Sequence, residues 1–226
     1  MFYREASGGT RAHPGPVFGQ RSDGQIYRDM RDQNIPAFLD LADGLAAHFS
    51  ENCIDLVAGD AAEGFNPTHD LCRALVNAAV SIAERARGKR IANYEFCLTE
   101  WEQHCREVHD ERCLHLRLDD ALLEAKLEAA VRYAELKDEV EQAIAAKGRE
   151  YFRIECLRRV HDPFPELAED EKPYYETFGE RRVAEGKYPA VIRYREHMLP
   201  LLQAIRDHAR QGTAKPAALS AAAGRP

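Results

Sequence analysis

A short polar segment between an apolar strand and a helix carries the residues best suited to chemistry. NPTHD (66–70) follows the strand-like run CIDLVAGD and opens the apolar, helix-periodic run LCRALVNAAV. Asparagine is a favoured N-cap, proline suits the first helical position, and aspartate in the first turn complements the positive helix end. Helix-start chemistry therefore explains Asn66, Pro67 and Asp70, but it does not explain His69.

His69 has two interpretations that its spacing leaves open. The positive end of a helix disfavours an imidazolium, so we expect a neutral ring, which is the form that binds a metal. Asp60 and Glu63 precede it in the same loop and could orient the ring or approach a cation. The alternative is a solvated or loop-bonded histidine that has no chemical role.

Composition excludes several classes of function. A net charge of -7 over 226 residues argues against nucleic-acid binding. No apolar stretch approaches the roughly 18 residues of a membrane span, and the N-terminus lacks the apolar core of a secretory signal, so we expect a cytoplasmic protein without membrane contact. The six cysteines form no paired motif and are predicted to be reduced, buried thiols. A phosphate-binding glycine loop and a serine-hydrolase elbow are also missing from the sequence.

The order of strand-like and helix-like segments predicts an α/β fold. We expect a Rossmann-like sandwich with a mostly parallel sheet and helices on both faces. Strands are predicted at 53–60, 90–98, 113–118 and 150–160. Ligands of such sheets bind beyond the carboxyl ends of the strands, which is where NPTHD lies.

The chain divides into four predicted regions. These are a flexible N-terminal segment (1–24), the α/β domain (25–160), a helical C-terminal extension (161–211) and a disordered tail (212–226). We also predict one long helix over 121–148, capped by Asp119 or Asp120, and a last helix that Pro200 kinks or divides.

Several segments together resemble one family. DAAEGFNPTHDLCRALVNAAV resembles the downstream motif of the LmbE/PIG-L family of zinc-dependent N-deacetylases, in which a strand ends in an acidic loop and a His/Asn-Pro-x-His-Asp segment opens the next helix. CLHLRLDD, the helix that bears Lys126, and KPYYETFGERRVAEGKYPAVIRYREHMLP are similar to later parts of the family. The resemblance covers about residues 25–205. It implies a hydrolase that uses zinc to remove N-acetyl groups from amino sugars or similar small metabolites.

The resemblance also implies roles for individual residues. His69 matches a zinc ligand, and Asn66 stands where many members carry a second histidine that stabilises the oxyanion, so Asn66 is the catalytic candidate. Five further residues are expected around the metal or in the substrate pocket: Asp60, Glu63, Asp70, Tyr94 and Lys126. For Tyr94 the alternative is strand packing, and for Lys126 it is an exposed position on its helix.

One departure from the family is large. The His-Pro-Asp-Asp-Glu segment that carries the other two zinc ligands occurs nowhere in the chain. The resemblance therefore implies a truncated or diverged member that lacks the first strand-helix unit and is inactive alone. Its missing ligands would be supplied by the natural form of the chain or by a partner chain, and the exposed sheet edge would be covered by a partner chain or a second copy. The alternative is a non-catalytic binding or assembly protein, or an inactive fragment of the same fold.

A second group of possible ligands lies in HCREVHDERCLH (104–115). Its spacing matches no usual zinc module, so we interpret these residues as structural, with a second metal site as the alternative.

Overall fold

The computed structural model describes residues 13–15, 17–98, 113–134, 137–168 and 170–212. They contain helices and four strands, with both parallel and antiparallel pairing, so the predicted α/β class is confirmed. The chain forms two compact units. The smaller unit comprises Met1–Gly15 and Trp101–Arg158, and the larger unit comprises Pro16–Glu100 and Arg159–Pro226. Among the described helices, none has the length and apolar character to cross a membrane.

The larger unit contains two strands and most of the described helices. In chain order they are α1 (Asp23–Arg31), α2 (Ile35–Glu51), β1 (Leu56–Asp60), α3 (Pro67–Arg87), β2 (Ala92–Phe96), α6 (Tyr174–Ala184) and α7 (Leu199–Gln211). A short π-helical turn, Tyr194–Met198, immediately precedes α7. Pro200 lies in the first turn of α7, so the predicted division of the last helix falls at this proline.

The element that positions the candidate site is the β1–α3–β2 unit. Asn66 caps α3, since its Oδ1 accepts a hydrogen bond of 2.9 Å from the Thr68 N–H, and Pro67 occupies the first turn as predicted. The helix ends at Gly88, whose left-handed backbone (φ 63°) glycine adopts without strain. Strands β1 and β2 pair in parallel with Ala58 opposite Tyr94, so their carboxyl ends lie at the same edge.

The apolar core of the larger unit forms around α3. This helix packs against both α2 and α7, and α2 also contacts α7. Leu71, Leu75, Ala78 and Ile82, which recur at helical spacing along α3, are all buried. The largest fully buried apolar side chains are Met30, Phe38, Leu71, Ile82, Met198, Leu201 and Ile205.

A buried polar network fixes α3 to β2. Arg73 is only 3% exposed and donates to the Tyr94 carbonyl (3.0 Å) and to Oδ1 of Asn93 (2.9 Å). Asn93 in turn donates to Oδ1 of Asn77 (2.8 Å), and Asn77, 2% exposed, donates to the Pro163 carbonyl (2.6 Å). A buried polar group is costly unless it is hydrogen-bonded, so these contacts favour one placement of the helix against the strand, although Nε of Arg73 has no partner among the described residues.

The smaller unit is built on an antiparallel strand pair. Its elements are β3 (Cys113–Arg117), α4 (Asp120–Arg132), α5 (Lys137–Lys147), a 3-10 turn (Arg149–Arg153) and β4 (Ile154–Arg159). In the pairing of β3 with β4, His115 lies opposite Cys156. Asp119 caps α4 as predicted, through a 2.8 Å bond from the Leu122 N–H.

Two predictions, one about a helix and one about the cysteines, were wrong. The single helix over 121–148 is divided, because Tyr133 adopts an extended conformation (ψ 99°) that ends α4. The cysteines are not uniformly buried. Of the five in the described ranges, Cys53 and Cys72 are exposed and only Cys156 is buried, although none of the five is in a disulfide. Short apolar context did not distinguish a buried thiol from one on the solvent side of a helix.

The buried network predicts a specific loss of stability. Asn77→Ala removes the donor to the Pro163 carbonyl and the acceptor of the Asn93 side chain, and it leaves both of those groups without a partner. We therefore expect a loss of about 1–3 kcal/mol in the free energy of unfolding, measured by urea denaturation. The control is Asn52→Ala, since Asn52 also makes side-chain hydrogen bonds but is exposed. We expect that change to stay within about 0.5 kcal/mol. Equal losses in the two variants would contradict the role of the network.

Candidate functional site

His69 and Asp60 meet at the carboxyl end of β1. Asp60 is the last residue of β1 and His69 lies in the first turn of α3. Nδ1 of His69 is 2.8 Å from Oδ2 of Asp60, and this ring nitrogen is buried. Although the two atoms are this close, Nδ1 makes no hydrogen bond with a described residue. Because the His69 side chain is still 38% exposed, the remainder of the ring is open to solvent.

Asp70 organises the loop that leads into α3. Its Oδ1 accepts hydrogen bonds from the backbone N–H groups of Glu63 (3.1 Å) and Gly64 (3.3 Å). Burial raises the pKa of Asp70 to about 6, against the opposing effect of these two hydrogen bonds. Glu63 Oε2 accepts from the Leu98 N–H at 2.8 Å, which ties the loop after β1 to the loop after β2.

Gly64 lets this loop approach the segment before α6. Its backbone is left-handed (φ 65°), and a Cβ there would lie 3.1 Å from Cβ of Pro173. The Gly64 carbonyl accepts a 3.1 Å hydrogen bond from the Tyr175 N–H. The ring of Tyr175 is buried, and its hydroxyl has no hydrogen-bond partner within the described residues. Burial and the nearby Asp70 carboxylate both raise the pKa of this hydroxyl.

The remaining predicted site residues lie in different surroundings. Tyr94 is in the middle of β2, where its carbonyl accepts from Arg73. Lys126 belongs to the smaller unit, where it pairs with Glu155 at 2.5 Å and donates to the Phe152 carbonyl at 3.1 Å. The structure thus collects Asp60, Glu63, Asn66, His69 and Asp70 on the β1–α3 connection.

The described residues do not by themselves fit a zinc site. Within the ranges that the structure covers, no group of three or more His, Cys, Asp or Glu side chains is placed to hold a metal ion. His69 therefore has a neighbouring carboxylate but lacks the two further ligands that the family resemblance requires. His104, Cys105 and His109, part of the second predicted group, lie outside the described residues.

Comparison with known proteins found no matching family model, no similar curated protein and no similar solved structure. The LmbE/PIG-L resemblance therefore remains a prediction based on the quoted motifs.

Sequence reasoning missed the polar residues of α3 that face the strands. Arg73 and Asn77 are four residues apart, on the opposite side of α3 from Leu71, Leu75 and Ala78, because each residue turns a helix by about 100°. Val80 lies on the same side as Arg73 and Asn77 and is buried. Two polar residues one helical turn apart beside a buried valine are the signal that could have indicated a buried network.

The raised pKa of Asp70 predicts a pH-dependent stability. An unfolded aspartate titrates near 3.8 and the folded group near 6, so the folded state binds this proton more tightly. Its contribution to stability is complete below about pH 3.8 and is lost as the pH rises to about 6. Asp70→Asn keeps the acceptor oxygen and removes the titration.

We expect the free energy of unfolding of Asp70→Asn, relative to the original chain, to rise by up to about 3 kcal/mol between pH 4 and pH 7. Urea denaturation at intervals of half a pH unit measures this difference. A difference that is constant across the range would show that Asp70 titrates as it does in the unfolded chain.

Proposed function

We propose that this chain is a cytoplasmic LmbE/PIG-L-like protein in which His69 serves the zinc-dependent hydrolysis of N-acyl groups on amino sugars or similar small molecules. The further metal ligands would come from residues outside the described ranges or from another chain. The observation that carries the proposal is the contact between His69 and Asp60. A carboxylate at one ring nitrogen is the usual companion of an imidazole that acts through the other.

The surrounding fold supports the same proposal. The β1–α3–β2 unit agrees with the Rossmann-like arrangement that the family resemblance implies, and the pair lies beyond the carboxyl end of a parallel strand. The Asp70 hydrogen bonds hold the preceding loop in one conformation, and this keeps Asp60 and His69 in contact.

Each polar residue of the connection has a task in this proposal. Asp60 orients the ring of His69. Asn66 uses Oδ1 for the helix cap, which leaves its side-chain N–H groups available to a substrate carbonyl. Asp70 acts through the backbone of Glu63 and Gly64, and it is therefore a positioning residue.

Zinc content and amide hydrolysis test the proposal together. The full chain, loaded with zinc and dialysed, is compared with its His69→Ala variant by mass-spectrometric zinc analysis, and amine release from N-acetylglucosamine is followed. We expect the original chain to hold about one zinc. The His69→Ala variant should hold none, and its rate of amine release should be at least 100-fold lower. Asp60→Asn should weaken zinc binding about 10- to 100-fold.

The matched control is His208→Ala. His208 also lies beside a carboxylate, with Nε2 2.7 Å from Oδ1 of Asp43, but on α7 and α2. We expect this variant to keep both its zinc and its activity. A zinc content that is unchanged in His69→Ala, or a chain that neither retains zinc nor releases amine, would overturn the proposal.

The second candidate is a non-catalytic binding protein of the same fold. It is favoured by one observation, namely that the described residues place no three-ligand group around His69. A chain without zinc or amine release that still binds a small molecule would support this candidate over the first.

A further inference from the structure

A cavity of about 540 Å³ lies in the larger unit, and His69 is not among its described lining residues. It is lined by α1, by the start of α3, by α6 and by the segment that follows α6. This volume is within the range of small-molecule sites, about 300–1,000 Å³. We call it the aromatic pocket, after its lining side chains Tyr27, Phe65, Tyr174, Tyr175, Phe178 and Tyr188.

The rings of the aromatic pocket are arranged as a continuous series. Phe65 and Tyr174 are stacked, with centroids 5.2 Å apart and an interplanar angle of 2°. The ring centroids of Tyr174 and Phe178 are 5.9 Å apart, and those of Phe178 and Tyr188 are 6.3 Å apart. Three of these side chains remain substantially exposed: Phe65 (50%), Tyr174 (48%) and Tyr188 (43%). Of the three ring pairs only Phe65 and Tyr174 are stacked, and these two half-exposed rings offer a flat surface to another ring.

The charges of the lining are all of one sign. Among the described residues that line it, Arg28 and Arg31, on the α1 wall, are the only ionisable side chains apart from the tyrosines, and none is an aspartate or glutamate. Neither arginine makes an ion pair or a side-chain hydrogen bond within the described residues, and Nε of Arg31 is buried. In a chain of net charge -7 with many carboxylates, two unpaired guanidinium groups at one cavity are unexpected. An anion from solution would supply the hydrogen-bond acceptors that these two guanidinium groups lack.

The start of α3 adds to the positive potential. Asn66 and Pro67 line the same cavity, and they stand at the N-terminal end of a 21-residue helix, where the helix dipole favours negative charge. The helix end and the two arginines therefore attract the same kind of group, while the rings attract an apolar one.

We propose that the aromatic pocket binds an organic anion that combines a flat aromatic ring with a carboxylate or phosphate group. The ring packs against the series from Phe65 to Tyr188, and the oxyanion pairs with Arg28 and Arg31. His69 does not line the cavity, although Asn66, which has a part in the proposed hydrolysis, does. We therefore expect a variant of His69 to separate this binding from the hydrolysis.

Three ligands that differ only in the head group test the proposal by isothermal titration calorimetry on the full chain. They are 2-naphthoate, 2-naphthyl phosphate and the neutral 2-naphthamide. We expect at least one of the anions to bind at least ten-fold tighter than the amide. The anion that binds more tightly of the two identifies the preferred head group as carboxylate or phosphate.

Variants locate the binding. The double variant Arg28→Gln/Arg31→Gln should lose at least ten-fold in affinity for the preferred anion and keep its affinity for the amide, which shows that the pocket still forms. Tyr174→Ala should weaken all three ligands. Arg90→Gln is the charge-matched control, because the Arg90 side chain is 85% exposed and lies beyond the other end of α3, and it should change nothing.

Three results would overturn the proposal: no binding of either anion, equal affinity for anion and amide, or an unchanged anion affinity in the double arginine variant. His69→Ala separates the two proposals, since we expect it to abolish zinc binding and amine release while the affinity for the anion is retained. A loss of anion binding in that variant would place the ligand at His69 instead.

Discussion

The buried guanidinium of Arg73 is the interaction on which the geometry of the larger unit depends. A charged group at 3% exposure is costly unless acceptors surround it, and here they come from Tyr94 and Asn93 of β2. Burial lowers the pKa of Arg73, whereas the carboxylates of Glu95 and Asp60 raise it. The group thus links α3, β2 and the end of β1 by charge and hydrogen bonding. Apolar packing alone would allow α3 to slide along the strands, but a fixed set of donors and acceptors allows only one register.

Fixing α3 also fixes what lies at its N-terminus. Once the helix is held against β2, its first turn must stand beside the end of β1, and this brings His69 within 2.8 Å of Asp60. The loop between them has little freedom, because the carboxylate of Asp70 holds two of its N–H groups and the Gly64 carbonyl is tied to Tyr175. The candidate site is therefore a consequence of helix packing, and it needs no contact with a ligand to form.

Much of this arrangement could be predicted from local signals. Helix caps at Asn66 and Asp119 depend on side chains within three residues, so the sequence reveals them directly. The strands at 92–96 and 113–117 show clear apolar patterns. The division of the 121–148 segment could not be predicted in the same way, since it follows from the backbone of Tyr133 rather than from a glycine or proline. The contact between Asp60 and His69 was anticipated only as a possible orientation, because its distance depends on the packing of α3.

The aromatic pocket could not be predicted from sequence motifs. Its residues come from four separate segments, and each segment taken alone resembles ordinary packing: YYETF is an aromatic helix start and RDMR a charged helix end. Only the folded chain shows that Arg28 and Arg31 line the same cavity as the stacked rings, with no carboxylate among the described lining residues. The first turn of α3 then contributes to two different environments. Its cap residues line a cationic, aromatic cavity, while His69 lies against an acidic strand end. The positive terminus of α3 thus borders both environments and favours negative charge in the cavity.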